Sequence, residues 1–439
     1  LYPTENYTLN DLKQDEDVLD TWFSSWLWPM SVFDGIRNPN NEEINYYYPT
    51  NDLITAPEII FFWVARMIIA GLEYKKDVPF KNVYFTGIVR DKLGRKMSKS
   101  LGNSPDPIEL IEKYGADGVR MGMLLASPAG NDLPFDESYC EQGRNFSNKI
   151  WNALRLIKSW TVEDIEQPKS SVLAIEWFKE KMNKTLVDLE DDFSKYRLSE
   201  SLMNVYKFVW DDLCSWYLEI IKPAYQAPID RKTFEATLDI FENVMKILHP
   251  FMPFVSEEVY HIIKQRKEND FIMQAQLPAI KDINTTLLNE FEFIEEFITA
   301  IRSVRNEKNI AQKVALQVYF TKSEEASIIE KYSDIVCKLC NLETLSSCEE
   351  KVEKAIAKMV RTLEFFVPLT DNVNKEEEIK KIKADIEYYE GFKNSVIKKL
   401  SNENFVSKAP EQVVAMERKK LSDAEQKIET LNEQLKAFL

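Results

Sequence analysis

The sequence predicts an α/β segment followed by an all-α one, and three observations carry that reading. Residues 1–142 mix short apolar runs with Pro, Gly and Asn turns, the texture of strands alternating with helices. From Asn145 to Ile263 apolar residues recur at three- and four-residue spacing, as in Ile150, Leu154, Ile157 and then Leu202, Val205, Val209, which is helical periodicity. Between these patterns, a β-branched and aromatic run at Asn82–Val89 leads into a glycine-bounded cationic loop and then a helix start.

Taken in order, Leu53 to Leu72 is the most apolar stretch and is expected to be a buried helix. Pro57, Glu58 and Arg66 lie within it, and charge at that depth is costly in a bilayer, so no membrane span is expected. Asn82–Val89 reads as a buried strand ending near the loop. The loop is Lys96-Met97-Ser98-Lys99-Ser100, bracketed by Gly94 and Gly102. Two ammonium groups and two hydroxyls on a segment that glycines leave pliable are suited to a polyphosphate leaving group. At Asp106-Pro107 a helix begins with proline in its first turn. Strand, cationic loop and helix in that order is how open α/β sheets present phosphate sites.

The helical region from about residue 143 breaks at Pro168, at Pro223 to Pro228 and at His249-Pro250 to Pro253, which predicts a bundle. From about Leu288 to Thr370 the pattern is mixed: a helix near Phe293–Asn306, a strand at Val314–Phe320, more helix and a final strand at Leu363–Leu369. A compact α/β linker domain is expected there. In the tail, Ile379, Ile382, Ile386, Tyr389, Val396 and Leu400 follow a heptad seam, and Val414, Leu421, Ala424, Ile428, Leu431, Leu435 and Phe438 follow another. The interruption at Ser401–Ala409 ends at Pro410, so the expectation is an antiparallel coiled-coil hairpin. The expected domains are therefore 1–142, 143–285, 286–374 and 375–439.

Composition narrows the function classes. The chain has 439 residues, 44 % hydrophobic and 12 % aromatic, which suits buried cores and excludes disorder. A net charge of −16 leaves no global field that attracts nucleic acid, so such contact would rest on local patches. Residues 375–439 carry 13 Lys+Arg and 13 Asp+Glu, a neutral and so relatively basic tail. The five cysteines are few and scattered, which fits a reducing, cytoplasmic setting. Cys337 and Cys340 have no second pair and no histidine nearby; they read as core thiols on a helix, and no protein-bound metal is expected.

Six segments, in this order, resemble the valyl-tRNA synthetases, a family of class I aminoacyl-tRNA ligases. They are Asp17–Ser25, Ile60–Met67, Gly94–Asn103, Arg144–Phe146 with Asn148–Asn152, Leu248–Phe254, and Asn404–Val406 with Ala409-Pro410. The resemblance implies the second half of a Rossmann-like catalytic domain, a helical anticodon-binding domain, a linker domain and a coiled-coil arm that touches tRNA. It implies valine, ATP with Mg2+, and the valine tRNA as partners, and a monomer.

The resemblance also implies roles. Lys96 and Lys99 would bind the triphosphate and stabilise departing pyrophosphate, with Met97, Ser98 and Ser100 on the same loop. Trp22, Ile59 and Trp63 would line the valine pocket. Such a rigid apolar wall separates substrates differing by one methylene by only ~1–3 kcal/mol and cannot strongly reject threonine. Glu58 stands where an aspartate near the ATP ribose is usual, and Gly87 is placed for close approach of adenine. Arg144, Asn145 and Asn148, with Phe146, supply chemistry for splayed anticodon bases, whereas Trp151 reads as a buried core residue. Arg302 and Arg305 are candidate phosphate contacts. On the arm, the candidates are Lys398, Lys399, Lys408, Arg418, Lys419 and Lys420, together with Lys393.

One motif of the family is absent. Its His-x-Gly-His segment has no counterpart, because the only histidines are His249 and His261, both in the helical region. No editing insertion is present either. The expectation is a C-terminal portion of a longer enzyme, inactive by itself. Two alternatives stand beside it: a freestanding tRNA-binding or scaffold protein with catalytic remnants, and a synthetase for isoleucine or leucine. Ser24, where those relatives usually carry aspartate, favours valine.

Overall fold

The computed structural model describes residues 8–126, 132–352, 355–368, 375–401 and, beyond these, residues 414, 417, 418, 420, 421, 424, 425 and 428. Helices dominate, with small sheets between them. Two compact units divide the chain, Leu1–Leu288 and Asn289–Leu439.

The first unit opens with short helices and a parallel pair, β1 (Thr50–Thr55) and β2 (Phe80–Phe85), in register Leu53↔Val83 and Thr55↔Phe85. The expected Leu53–Leu72 helix is thus two elements. Leu53 and Ile54 belong to β1, because their backbone pairs with β2. Helix begins only after Ala56, as a 3₁₀ turn Pro57–Ile59, a π turn Ile60–Val64 and an α-helix Ala65–Ala70. Nor is it uniformly buried: Leu53, Val64, Met67 and Phe80 form a core cluster, whereas Phe61 is 80 % exposed. The predicted strand at 82–89 likewise stops at Phe85, and Val89–Arg90 forms a separate β3, parallel to β4 (Leu133–Pro134).

Helix Pro107–Tyr114 starts where the sequence places it. Proline occupies its first turn, and the Asp106 carboxylate accepts from the Ile108 amide at 2.8 Å. The next two helices, Ala116–Leu125 and Glu137–Lys158, meet backbone to backbone. A Cβ added at Gly143 would lie 2.6 Å from the Gly118 carbonyl oxygen, so the crossing requires glycine there. Gly143→Ala is expected to cost about 1–3 kcal/mol, measured by chemical denaturation, because rigid backbone has to move.

The bundle continues through Lys169–Ser194, Leu198–Lys207, a π-helical stretch Phe208–Tyr217, Leu218–Ile221, Arg231–Leu248 and Pro253–Ile263. A short parallel pair, β5 (Val162–Glu163) and β6 (Ile229–Asp230), crosses its end. The breaks fall at the predicted prolines. His249–Phe254 is also a docking segment. The buried Asp117 carboxylate accepts from the Phe254 and Val255 amides at 3.2 and 2.6 Å, and Arg120 donates to the carbonyls of Phe251 and Pro250, both at 3.3 Å.

Inside the bundle, Asp212 faces Lys181 at 3.3 Å with only 14 % of its side chain exposed. Burial pushes its carboxyl up to about 6, against the pull of Lys181. An acid whose folded value is raised destabilises fully above that value. The cost shrinks as pH falls towards the ordinary carboxylate value and vanishes below it. Asp212→Asn should therefore raise stability by on the order of 2 kcal/mol at pH 8, and most of that difference in the melting curves should be gone by pH 4.

The second unit is built on the helix Thr285–Glu307, most of which lies beyond residue 288, and a four-stranded sheet ordered β8-β7-β10-β9. Its strands are β7 (Leu316–Thr321), β8 (Leu342–Cys348), β9 (Ala355–Val360) and β10 (Leu363–Pro368). The sequence reading has β7 and β10 but not β8 and β9, which complete the sheet as its two edges. Helices Glu324–Lys331 and Ser333–Cys340 connect β7 to β8. The latter carries Cys337 and Cys340 as free thiols; Cys340 is buried, and burial raises it to about 12.

A helix Lys375–Leu400 follows. Lys393 pairs with Glu425 at 3.3 Å and Lys399 with Glu417 at 3.8 Å, so the partners run in opposite sequence sense. Among the described residues no helix is long and apolar enough to cross a membrane, and no cluster of three or more His, Cys, Asp or Glu side chains could hold a metal ion.

Candidate active site

The cationic loop leaves β3 through a tight turn. The Gly94 amide donates to the Asp91 carbonyl at 2.8 Å, with Gly94 at φ +74°, and the Asp91 amide donates to the Arg95 carbonyl at 3.0 Å. Arg90 and Lys96 then form an isolated antiparallel bridge. The loop closes at Gly102, φ +61°, a left-handed geometry that suits glycine.

Two side chains just outside these glycines hold the loop. The Asp91 carboxylate, 9 % exposed, accepts from the Leu93 amide at 3.0 Å, the Arg95 amide at 2.8 Å and the Arg95 guanidinium at 2.7 Å. It also accepts from the Asn103 carboxamide at 3.0 Å. The Asn103 amide group, and after it Arg95, hold this carboxyl below the usual carboxylate range. Asn103 Oδ1 accepts from the Ser98 amide at 2.9 Å, and its Nδ2 donates to the Lys96 carbonyl at 3.3 Å. Neither residue was singled out from the sequence. The signal that could have found them is an Asx residue on each flank of a two-glycine loop.

Within the loop, Ser98 and Ser100 hydroxyls lie 3.1 Å apart, and Ser98 Oγ accepts from the Leu101 amide. Met97 turns inward against the cluster of Leu110, Tyr114, Phe135 and Cys140. Lys96 is exposed and forms no ion pair among the described residues. Lys99 opens the one-turn 3₁₀ helix Lys99–Leu101; its side chain lies outside the described residues. A cavity of about 590 Å³ flanks the loop, lined among others by Asp91, Arg95, Met97, Asn103, Phe135 and Glu137.

The two tryptophans singled out from the sequence sit on adjoining elements. Trp22 lies on the helix Thr21–Ser25, whose N-cap Asp20 accepts from the Trp22 amide at 2.9 Å. Trp63 lies on the π turn and donates its indole N–H to the Ser25 carbonyl at 3.1 Å, which stitches the two together. Trp22 stacks on Phe62 at 6.0 Å and Trp63 contacts Trp28 at 5.7 Å, both half-buried. Ile59, also half-buried, closes the preceding 3₁₀ turn. Glu58, exposed, and Gly87 follow the carboxyl ends of neighbouring parallel strands, where open α/β sheets place ligands.

The residues assigned to tRNA divide. Asn145 and Asn148 are exposed on one helix. Arg144 pairs with Glu141 at 3.1 Å and lies over the Tyr114 ring. Phe146 is fully buried against Tyr206, so it offers no face to a base, while Trp151, read as core, is 38 % exposed. Arg305 is also corrected. It is 1 % exposed and gives its guanidinium to the carbonyls of Ala311, Val314, Cys340 and Asn341, at 2.9, 2.8, 2.7 and 3.4 Å, leaving nothing for a phosphate. Arg302, half-buried, donates to the Leu339 carbonyl at 3.1 Å. Lys398 and Arg418 are exposed, Lys399 and Lys420 both reach Glu417, and Lys408 and Lys419 lie outside the described residues.

Three family profiles match in sequence order: tRNA synthetases class I (I, L, M and V) over residues 4–136, the anticodon-binding domain of tRNA ligase over 176–320, and the valyl tRNA synthetase tRNA binding arm over 374–438. The valine–tRNA ligase of Parabacteroides distasonis is 58 % identical over 434 residues, covering 99 % of this chain and 49 % of the relative. That of Phocaeicola vulgatus is 59 % identical, with 99 % and 49 % covered, and that of Fusobacterium nucleatum 40 % identical, with 98 % and 50 % covered. The chain spans about half the length of the curated relatives it matches. A ternary LeuRS–tRNA–LeuAMS complex from Agrobacterium radiobacter K84 superposes with a TM-score of 0.47 at 17 % identity, covering 81 % of this chain and 42 % of that one. On its sequence relatives and its three profile matches, the chain belongs to the valyl-tRNA synthetase family.

Proposed function

We propose that this chain supplies the pyrophosphate side of valine activation and the tRNA-holding domains of a valine–tRNA ligase. The observation that carries the reading is the lysine-serine loop. It leaves a parallel strand, is tied at both ends by one carboxylate–carboxamide pair and keeps Lys96 exposed. In the reaction, a valine carboxylate oxygen attacks the α-phosphorus of ATP, and the bond to the β-phosphate oxygen breaks. Negative charge gathers on the departing pyrophosphate, where Lys96 and Lys99 meet it, with Ser98 and Ser100 as hydroxyl donors. The magnesium ion travels with ATP as part of the substrate. Trp22, Ile59 and Trp63 wall the valine side chain, and Glu58 and Gly87 flank the nucleotide. A tRNA ribose hydroxyl then attacks the adenylate carbonyl and releases AMP.

The division at 1–142, 143–285, 286–374 and 375–439 follows the same reading, with Arg144, Asn145 and Asn148 facing anticodon bases. Residues 375–439 form an antiparallel coiled-coil arm in it, supported by the opposed Lys393–Glu425 and Lys399–Glu417 pairs. Its lysines meet the tRNA backbone. The protein is a cytoplasmic monomer in this reading. Deleting 375–439 should weaken tRNA binding and flatten its salt dependence; identical affinities at several salt concentrations would exclude the arm. The purified chain given valine, ATP and pyrophosphate should show no exchange, and robust exchange would refute its being half of a site.

A further inference from the structure

We propose that Asp91 and Asn103 are positioning residues that set the catalytic pose of the lysine-serine loop. The inference rests on the reading of that loop as the pyrophosphate-handling segment and goes beyond it by naming what aims it. A loop flanked by two left-handed glycines has many conformations, and cations speed a reaction most when they are aimed before charge develops.

Here aiming is done from outside the loop. Asn103 joins three points with one side chain. It accepts from the Ser98 amide at 2.9 Å, and donates to Asp91 at 3.0 Å and to the Lys96 carbonyl at 3.3 Å. The last two residues named in the loop, Lys96 and Ser98, bracket Met97, whose side chain packs into the Leu110–Tyr114–Phe135 cluster. Asp91 fixes the opposite end through the Leu93 and Arg95 amides. Only a carboxamide offers both donors and an acceptor in that space. An aspartate at 103 would offer acceptors alone and set a second negative charge against Asp91. The network also explains why Asp91 stays ionised: Asn103 and Arg95 both stabilise its charge.

The test uses the full-length synthetase that contains this chain, in valine-dependent ATP–pyrophosphate exchange. Asn103→Asp and Asn103→Ala should lower kcat at least tenfold, leave the KM for valine unchanged and shift the melting temperature little. The swapped pair Asp91→Asn with Asn103→Asp restores a donor–acceptor contact between the two positions, and should recover part of the kcat lost in Asn103→Asp. Wild-type kcat in the Asn103 variants, or a kcat loss that the swap deepens and that tracks lost thermal stability, would overturn the proposal. Lys99→Ala, run in parallel, separates the two levels. If it keeps full exchange, the reading of the loop fails; if it loses exchange while the Asn103 variants keep theirs, the positioning role alone fails.

Discussion

Lys99→Ala is expected to lower valine-dependent exchange in the full-length enzyme by about 10²–10³-fold, the scale on which a single pre-aimed donor at a charged transition state acts. Lys96→Ala should follow it in direction. The KM for valine should hold, because neither lysine belongs to the Trp22–Trp63 wall, whose elements are joined instead by the Trp63–Ser25 hydrogen bond. Steady-state exchange at varied valine and ATP separates these effects. A rise in the valine KM with kcat intact would place the lysines at the wrong substrate.

Arg305→Ala is expected to destabilise the second unit by about 3–5 kcal/mol, enough to unfold a marginal domain. The substitution removes donors from four backbone carbonyls, three of them within 2.9 Å, at a site almost closed to water. Arg305→Lys should recover only part of this, since one ammonium cannot span acceptors on two separate segments. Thermal unfolding followed by circular dichroism reads the loss, and hydrogen exchange over 289–368 localises it. A folded Arg305→Ala variant that loses only tRNA affinity would restore the phosphate-contact reading that the burial removes.

Much of the fold was legible because backbone chemistry marks it. Asp106-Pro107 and Pro168 announce helix starts, and the prolines at 223 and 250 end bundle helices. Harder to read were elements whose identity depends on partners. Leu53 and Ile54 run directly into an apolar helix, and only pairing with β2 makes them a strand. Strands β8 and β9 are edges with weak alternation: β8 carries Thr344, Ser346 and Ser347 with few apolar residues, and β9 is apolar except for Lys358.

At the candidate site, the lysines stand out in the sequence by residue type between two glycines, and the tryptophans by the family resemblance alone. Their supports were not, since a hydrogen bond from Asn103 to Asp91 spans a loop whose path the sequence leaves open. Arg305 was misread although a signal was present. Ile294, Ile298, Ile301 and Arg305 step by four, three and four along one helix face, so the arginine sits on the buried stripe. Phe146 shares such a stripe with Ile150, Leu154 and Ile157, whereas Trp151 falls beside it and is exposed.

The most direct test of the central claim is to mix this chain with the separately expressed remainder of a valine–tRNA ligase from a close relative and measure valine-dependent ATP–pyrophosphate exchange. Exchange is expected only when both parts are present, and it is lost on Lys99→Ala. Exchange by this chain alone, or equal exchange with and without Lys99, would contradict the claim.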